Sequence, residues 1–321
     1  MISRVGRFIE KTTKKDSMHF FNLAFFGGEP LLYFKRDVVP VIEKLQEECI
    51  KNKVDYGVGF TTNGYLINDD FIDFFKSRNI IPSLQITLDG DKEEHNKVRY
   101  VSSSKGSYDV IIKNTKRLLE NHFPVRLRLN YTSKNIEAMR DIAYEFDDIT
   151  SEVKSKNLVV DFHRVWQDSK NDDILLTVDK VINTFKERAI PVEHMLPNNV
   201  QESCYADKRN SATINYNGDL FKCTARDFTT VKREGFIDEG GELIWENNSL
   251  EKRMNIKFKN KPCLSCRLLP VCNGGCSQHA VEALENNEEY CVYYGDDNLK
   301  DDVVKSKIIE IVENHLEMNE V

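Results

Sequence analysis

Seven of the eight cysteines in this 321-residue chain fall between Cys204 and Cys291, and the eighth, Cys49, stands far upstream. The dense part reads C-x2-C-x5-C-x3-C over Cys263, Cys266, Cys272 and Cys276, with Cys291 beyond. Upstream lie Cys204 and Cys223, the latter five residues after Gly218. A disulfide framework does not suit a chain of this length whose Met1 start lacks a secretory apolar segment. Thiolates are the soft ligands that iron–sulfur clusters and zinc take. Short spacings let two sulfurs from one turn face one centre, and Gly274 and Gly275 let the backbone wrap closely around it. A four-iron cluster takes four ligands, so seven cysteines suit one complete cluster and one with three thiolates. A zinc module is the alternative on spacing alone, and a set of reduced, buried cysteines is a second. Cys49 falls on the apolar face of a candidate helix and reads as core.

The rest of the chain carries a repeating pattern. Candidate strands Phe21–Phe26, Tyr56–Thr61, Ser83–Leu88, Val125–Tyr131 and Leu158–Val165 are short and rich in Phe, Ile, Val and Leu, as buried parallel strands are. Helix-like stretches lie between and after them, at Asp37–Lys51, Asp69–Ser77, Tyr108–Asn121, Ile136–Phe146 and Thr177–Arg188. Five strand–helix units in series predict a parallel α/β barrel or open sheet, with chemistry at the C-terminal ends of the strands. Met1–Lys15 reads as a helix ahead of the first strand, an unusual opening for such a repeat. Composition shifts near Pro191–Asn199, a hairpin signal follows at Asn215, Asn217, Gly218 and Asp219, and a helical pattern resumes from Asp301. The net charge of −7 is spread over mixed acidic and basic residues, with no basic stripe and no apolar run of membrane-spanning length. The expectation is a soluble cytoplasmic protein with no nucleic-acid or membrane partner.

Three glycine-bearing stretches each follow a candidate strand: Gly27-Gly28-Glu29-Pro30, Thr61-Thr62-Asn63-Gly64 and Thr87-Leu88-Asp89-Gly90. Each puts small or polar residues where a ligand would lie; two glycines free the backbone to approach it, and the Glu29 carboxylate suits an ammonium. Any one alone reads as an ordinary strand-to-helix turn. His163, at the far end of a candidate strand, reads as a satisfied structural histidine ahead of a site residue, and Trp166 and Tyr205 as packing residues.

These three stretches, with His95-Asn-Lys-Val-Arg99 and Gly106-Ser-Tyr, resemble a radical S-adenosylmethionine (SAM) enzyme, and the seven-cysteine pattern with Gly218 before Cys223 resembles the SPASM extension of that superfamily. The resemblance covers essentially the whole chain. It implies an α/β fold: a partial (β/α) TIM-like barrel missing its first strand over residues 1–192, a small cysteine-rich SPASM iron–sulfur domain over 193–300 and a C-terminal helix over 301–321. Carried over residue by residue, Gly27, Gly28 and Glu29 would hold the amino end of SAM, and Thr87 and Arg99 would contact its carboxylate or ribose. Cys263, Cys266, Cys272 and Cys291 would ligate an outer auxiliary 4Fe–4S cluster, and Cys204, Cys223 and Cys276 an inner one. Some relatives add a cysteine shortly before the position of Cys204; here Glu202 and Ser203 precede it, which would leave the inner cluster an open iron.

The superfamily's C-x3-C-x2-C motif, whose thiolates hold the SAM-cleaving cluster, would lie before Gly27, and no cysteine precedes Cys49. The expectation is a chain begun at an internal methionine of a longer reading frame, unable by itself to cleave SAM; the rival is a cluster-less relative. In the sulfatase-maturing branch an acid follows the cysteine at the Cys223 position, whereas Thr224 follows here and Asp227 lies further on. That leaves maturation of a peptide or protein substrate as the implied activity, with a flavodoxin or ferredoxin as electron donor. The alternative is a non-catalytic iron–sulfur or zinc protein that recognises a peptide.

Overall fold

Every second residue of Leu84, Ile86 and Leu88, and of Val125, Leu127, Leu129 and Tyr131, is buried, so each of these segments extends with one face on an apolar layer. The computed structural model describes residues 1–165, 168, 174–195 and 204–319. Trp166, Glu202 and Ser203 lie outside the described residues. The chain divides into two compact units, one of Ile2 with Ile9–Leu196 and one of Met1 and Ser3–Phe8 with Pro197–Val321.

The first unit is α/β. Among the described residues, and apart from a short hairpin of Tyr100–Ser102 and Lys105–Gly106, its strands are β1 Phe20–Phe25, β2 Asp55–Thr62, β3 Ser83–Leu88, β4 Val125–Tyr131, β5 Leu158–Arg164 and β6 Val192–Met195. They form one parallel sheet in chain order. That sequential order is the progression of a barrel; a doubly wound sheet would reverse it at a switch point. The sixth strand was not among the five expected. Val-Glu-His-Met carries little β signal of its own, and its register against Val160–His163 supplies the pairing. Strand β1 is an edge: its residues alternate between exposed and half-buried, and Phe20 is 58% exposed.

Helix Val39–Asn52 follows β1 after a π-turn at Phe34–Val38, and buries Val41, Ile42, Leu45 and Cys49 at helical spacing. Pro40 sits in its first turn, and left-handed Lys53 ends it. Asp69–Ser77 starts on an Asn68 side-chain cap, and its Phe71 and Phe75 pack with Phe34 and Phe60. Tyr108–Glu120 and Ile174–Lys186 lie near their expected places, whereas the stretch expected at Ile136–Phe146 is broken into a 3-10 turn and a five-residue helix.

In the second unit, strands β7 Thr213–Ile214, β8 Asp219–Phe221, β9 Gly235–Ile237 and β10 Leu243–Trp245 make an antiparallel sheet in the order β10-β9-β8-β7. The expected hairpin joins β7 to β8, closed by Asn215 N–H bonding to the Asp219 carbonyl at 2.9 Å, with Gly218 at φ +93°. Short helical turns carry the cysteine-rich segment, and the last helix runs Asp297–Asn319. No helix among the described residues is long and apolar enough to cross a membrane.

Candidate metal centre and strand-end site

Prolines at 262 and 270 each start a four-residue helical turn, Lys261–Leu264 and Leu269–Cys272. These present Cys263 and Cys272, and Cys266 sits in the link between them. Asn273, Gly274 and Gly275 then take positive φ in succession, at +53°, +78° and +67°. This left-handed run reverses the chain between Cys272 and Cys276. A Cβ on Gly275 would stand 3.0 Å from Val292 and 3.2 Å from Tyr290, so the glycine lets the turn press against the segment that carries Cys291. Cys263, Cys266, Cys272 and Cys291 line one small cavity of about 20 Å³, together with Pro262, Leu269 and Lys300. The thiols ring a space instead of converging on a point: among the described residues no three His, Cys, Asp or Glu side chains gather tightly enough to hold one metal ion. Four thiolates around a cavity fit the ligand set of a four-iron cluster.

The other three cysteines gather separately. Cys204 lies within electrostatic reach of Cys276 and Cys223, and burial pushes its thiol up, against a bond from the Ala206 backbone and helped by Asp207 and these two cysteines. Burial likewise pushes up Cys263 and Cys272, each opposed further by the cysteines of its own cavity. Such crowding favours protonated thiols until a cationic centre displaces the protons. Cys49 stands apart, fully buried, its thiol pushed up by burial to about 11, which fits the core role expected of it.

Tyr205 was expected to pack, but it is an exposed strut. Its hydroxyl accepts from Thr224 N–H at 2.8 Å and bonds Thr224 Oγ1 at 2.6 Å, tying the turn after Cys204 to the turn after Cys223. Lys222 was not singled out by sequence. It is fully buried, and its ammonium donates to the carbonyls of Lys208, Arg209 and Ser211. Arg226 reaches across to Glu282 with two bonds of 2.7 and 2.9 Å, close to Cys223 and Cys276.

At the strand ends of the first unit, Gly27 and Gly28 both take positive φ, +87° and +54°, and open space adjoins each Cβ position. The backbone conformation, not crowding, is therefore what calls for glycine there. Expected to meet an ammonium, the Glu29 carboxylate is held by the chain's own donors: Leu31 N–H at 3.0 Å, Thr62 Oγ1 at 2.7 Å and Asn63 N–H at 2.8 Å. It locks the turn after β1 to the turn after β2. Thr87 lies half-buried on the polar face of the sheet, in a register row with Arg128, Asp161 and Glu193. Arg99 Nε pairs with Asp89, which also accepts from Asn130 Nδ2 at 2.7 Å. Burial opposes the Asp89 charge, but the Arg99 and Asn130 bonds prevail and hold its carboxyl below the usual range. His163 is hydrogen-bonded to Asp161 at 2.9 Å, as a satisfied histidine would be, yet it stands on the same polar face.

His95 fixes the Arg99–Asp89 corner. Its Nδ1 accepts from Asp89 N–H at 3.2 Å, so the proton sits on Nε2, which donates to Ser107 Oγ at 3.0 Å; Ser107 in turn donates to the Arg99 carbonyl at 2.9 Å. A second proton on His95 would face the Asp89 N–H. Burial, followed by the Arg99 charge, pushes His95 down to about 4. Between its ordinary value of 6.5 and about 4 the unfolded chain binds a proton that the folded chain refuses, so stability falls as pH drops through this window. The loss should reach roughly 3 kcal/mol. Urea unfolding of wild type and His95→Gln at pH 7 and pH 4.5 checks this: the wild type should lose more stability than the variant, and equal losses would refute it.

Residues 10–143 match the radical SAM superfamily. The chain resembles radical SAM maturases. It is 37% identical over 127 residues to the cysteine-type anaerobic sulfatase-maturating enzyme of Clostridium novyi, covering 38% of this chain and 32% of that protein. It is 28% identical over 131 residues to the uncharacterized protein sll1766 of Synechocystis, covering 40% and 32%. The chain thus spans about a third of the length of the curated relatives it matches. Among solved structures, native anSMEcpe with bound AdoMet and Kp18Cys peptide aligns over 97% of this chain and 90% of its own, at TM-score 0.68 and 16% identity. SuiB of Streptococcus suis aligns over 90% and 70%, at TM-score 0.57 and 19% identity. At these identities the likeness is one of fold.

Proposed function

We propose that this protein is a radical SAM enzyme of the SPASM type that modifies a peptide or protein substrate, with residues 1–192 as a partial barrel and 193–300 as an auxiliary-cluster domain. The observation that carries the reading is the ring of Cys263, Cys266, Cys272 and Cys291 around one cavity. Cys204, Cys223 and Cys276 would hold a second, inner cluster, its fourth position open to a ligand from outside this set. When bound, 4Fe–4S clusters supply one-electron chemistry. The chain's own part is positional: Tyr205, Lys222 and the left-handed run after Cys272 fix the thiols. At the strand ends, Gly27 and Gly28 would offer backbone groups to the amino end of SAM, while Glu29 braces their turn. Arg99 and Thr87 would meet its polar groups, Arg99 being oriented by Asp89 and His95. Support for a peptide substrate comes from the likeness to anSMEcpe, solved with peptides. The expected setting is a reducing cytoplasm with a flavodoxin or ferredoxin as donor.

The test is the iron, sulfide and zinc content after anaerobic reconstitution. About eight irons and eight sulfides per chain are expected. Zinc without acid-labile sulfide would sink the reading and leave a metal-stabilised peptide-recognition protein. No three of the eight cysteines stand at C-x3-C-x2-C spacing. The same preparation given SAM and dithionite is therefore expected to form no 5′-deoxyadenosine by itself.

A further inference from the structure

We propose that Asn260 and Lys300 set the reduction potential of the cluster held by Cys263, Cys266, Cys272 and Cys291, raising it above what four thiolates alone would give. The inference rests on the reading of that cavity as a cluster site. Adding an electron to a cluster adds negative charge, so hydrogen bonds to its sulfurs and nearby cations favour the reduced state.

Asn260 is buried, and its side-chain amide is shared. Nδ2 donates to Cys263 Sγ at 2.9 Å and to the Tyr290 carbonyl at 2.7 Å, while Oδ1 accepts from Tyr290 N–H at 3.2 Å. The Tyr290 peptide groups thereby fix which end of the amide meets the sulfur. The same residue joins the Cys263 turn to the segment that ends in Cys291. Lys300 lines the cavity with all four cysteines and lies within electrostatic reach of Cys266 and Cys291. Its side chain is 18% exposed and is steered by bonds to the Gly295 carbonyl and to Asp297. Asp297 is 84% exposed, so water screens its charge and it offsets the ammonium only in part. One group thus acts through a sulfur and the other through space.

The experiment is a potentiometric titration, followed by electron paramagnetic resonance, of the reconstituted full chain and its Lys300→Met, Lys300→Arg and Asn260→Asp variants. Lys300→Met removes the charge and leaves the ligands untouched. Asn260→Asp keeps the acceptor for Tyr290 N–H, loses the donor to sulfur and adds a negative charge beside it, and both changes disfavour reduction. Both should lower the midpoint, so that at the wild-type midpoint the oxidised form outweighs the reduced about tenfold, or ~59 mV for one electron. Lys300→Arg should stay near wild type. A midpoint unchanged in Lys300→Met overturns the assignment of Lys300, and one unchanged in a cluster-loaded Asn260→Asp overturns that of Asn260. If Asn260→Asp fails to load, Asn260→Leu, which removes the donor without adding charge, decides in its place: an unchanged midpoint there overturns the assignment of Asn260. Failure of the underlying reading looks different: wild type would then lose no iron and no paramagnetic signal when Cys263 and Cys291 are both replaced by alanine.

Discussion

Replacing Cys272 and Cys291 by alanine is expected to remove about half the iron and sulfide of the reconstituted protein and to leave the other half in place. Replacing Cys223 and Cys276 should remove the complementary half, and the four replacements together should remove nearly all of it. The expectation follows from the two separate gatherings of thiols, one lining a cavity and one joining Cys204, Cys223 and Cys276. Cys272 and Cys276 are only four residues apart, yet on this reading they would serve different sets, the left-handed run at 273–275 turning the chain between them. Metal analysis with electron paramagnetic resonance of each variant reads the outcome. Loss of all iron from either pair would mean one shared site and would sink the two-cluster reading.

Lys222→Met should destabilise the second unit by about 3–5 kcal/mol, which for a unit of this size is roughly 10 °C in Tm. Methionine fills the volume, but it strands the carbonyls of Lys208, Arg209 and Ser211 without their donor. Burial pushes the Lys222 ammonium down to about 8, whereas three carbonyl acceptors favour its charge, so it remains cationic at neutral pH. These carbonyls belong to the segment just after Cys204, so the variant should also hold the Cys204–Cys223–Cys276 set poorly and lose iron from it first. Thermal unfolding of the metal-free protein separates the two effects. An unchanged Tm in Lys222→Met would show that the buried ammonium is not what holds this segment.

The fold was legible where periodicity is strong and local. Ser83–Leu88 and Val125–Tyr131 fall at their expected bounds because alternate burial is written in every second residue. The sixth strand, Val192–Met195, was not legible, since four residues of mixed character acquire their conformation only from β5. The helix expected at Ile136–Phe146 carries apolar residues at helical spacing, yet Ile136, Met139, Ile142 and Phe146 are buried from a 3-10 turn and a short helix. Composition records that those residues are buried, and not which helical form delivers them.

By itself the sequence determined which thiols are on offer and at what spacing, since both are local properties of the chain. It also determined the alternation that makes the first unit a parallel α/β sheet, and the positions where only glycine carries a positive φ at little cost, as at Gly27, Gly28 and Gly218. Tertiary structure decided what each polar side chain does. Glu29, expected to meet an ammonium, also braces two strand ends, because Thr62 and Asn63, more than thirty residues away in sequence, supply donors to it. Tyr205 looked like packing and became a strut, and Lys222, which nothing in the sequence singled out, became the buried centre of three carbonyls. A hydrogen bond depends on where its partner stands in space, and residues distant in the chain have no spacing rule that fixes that position before the chain folds.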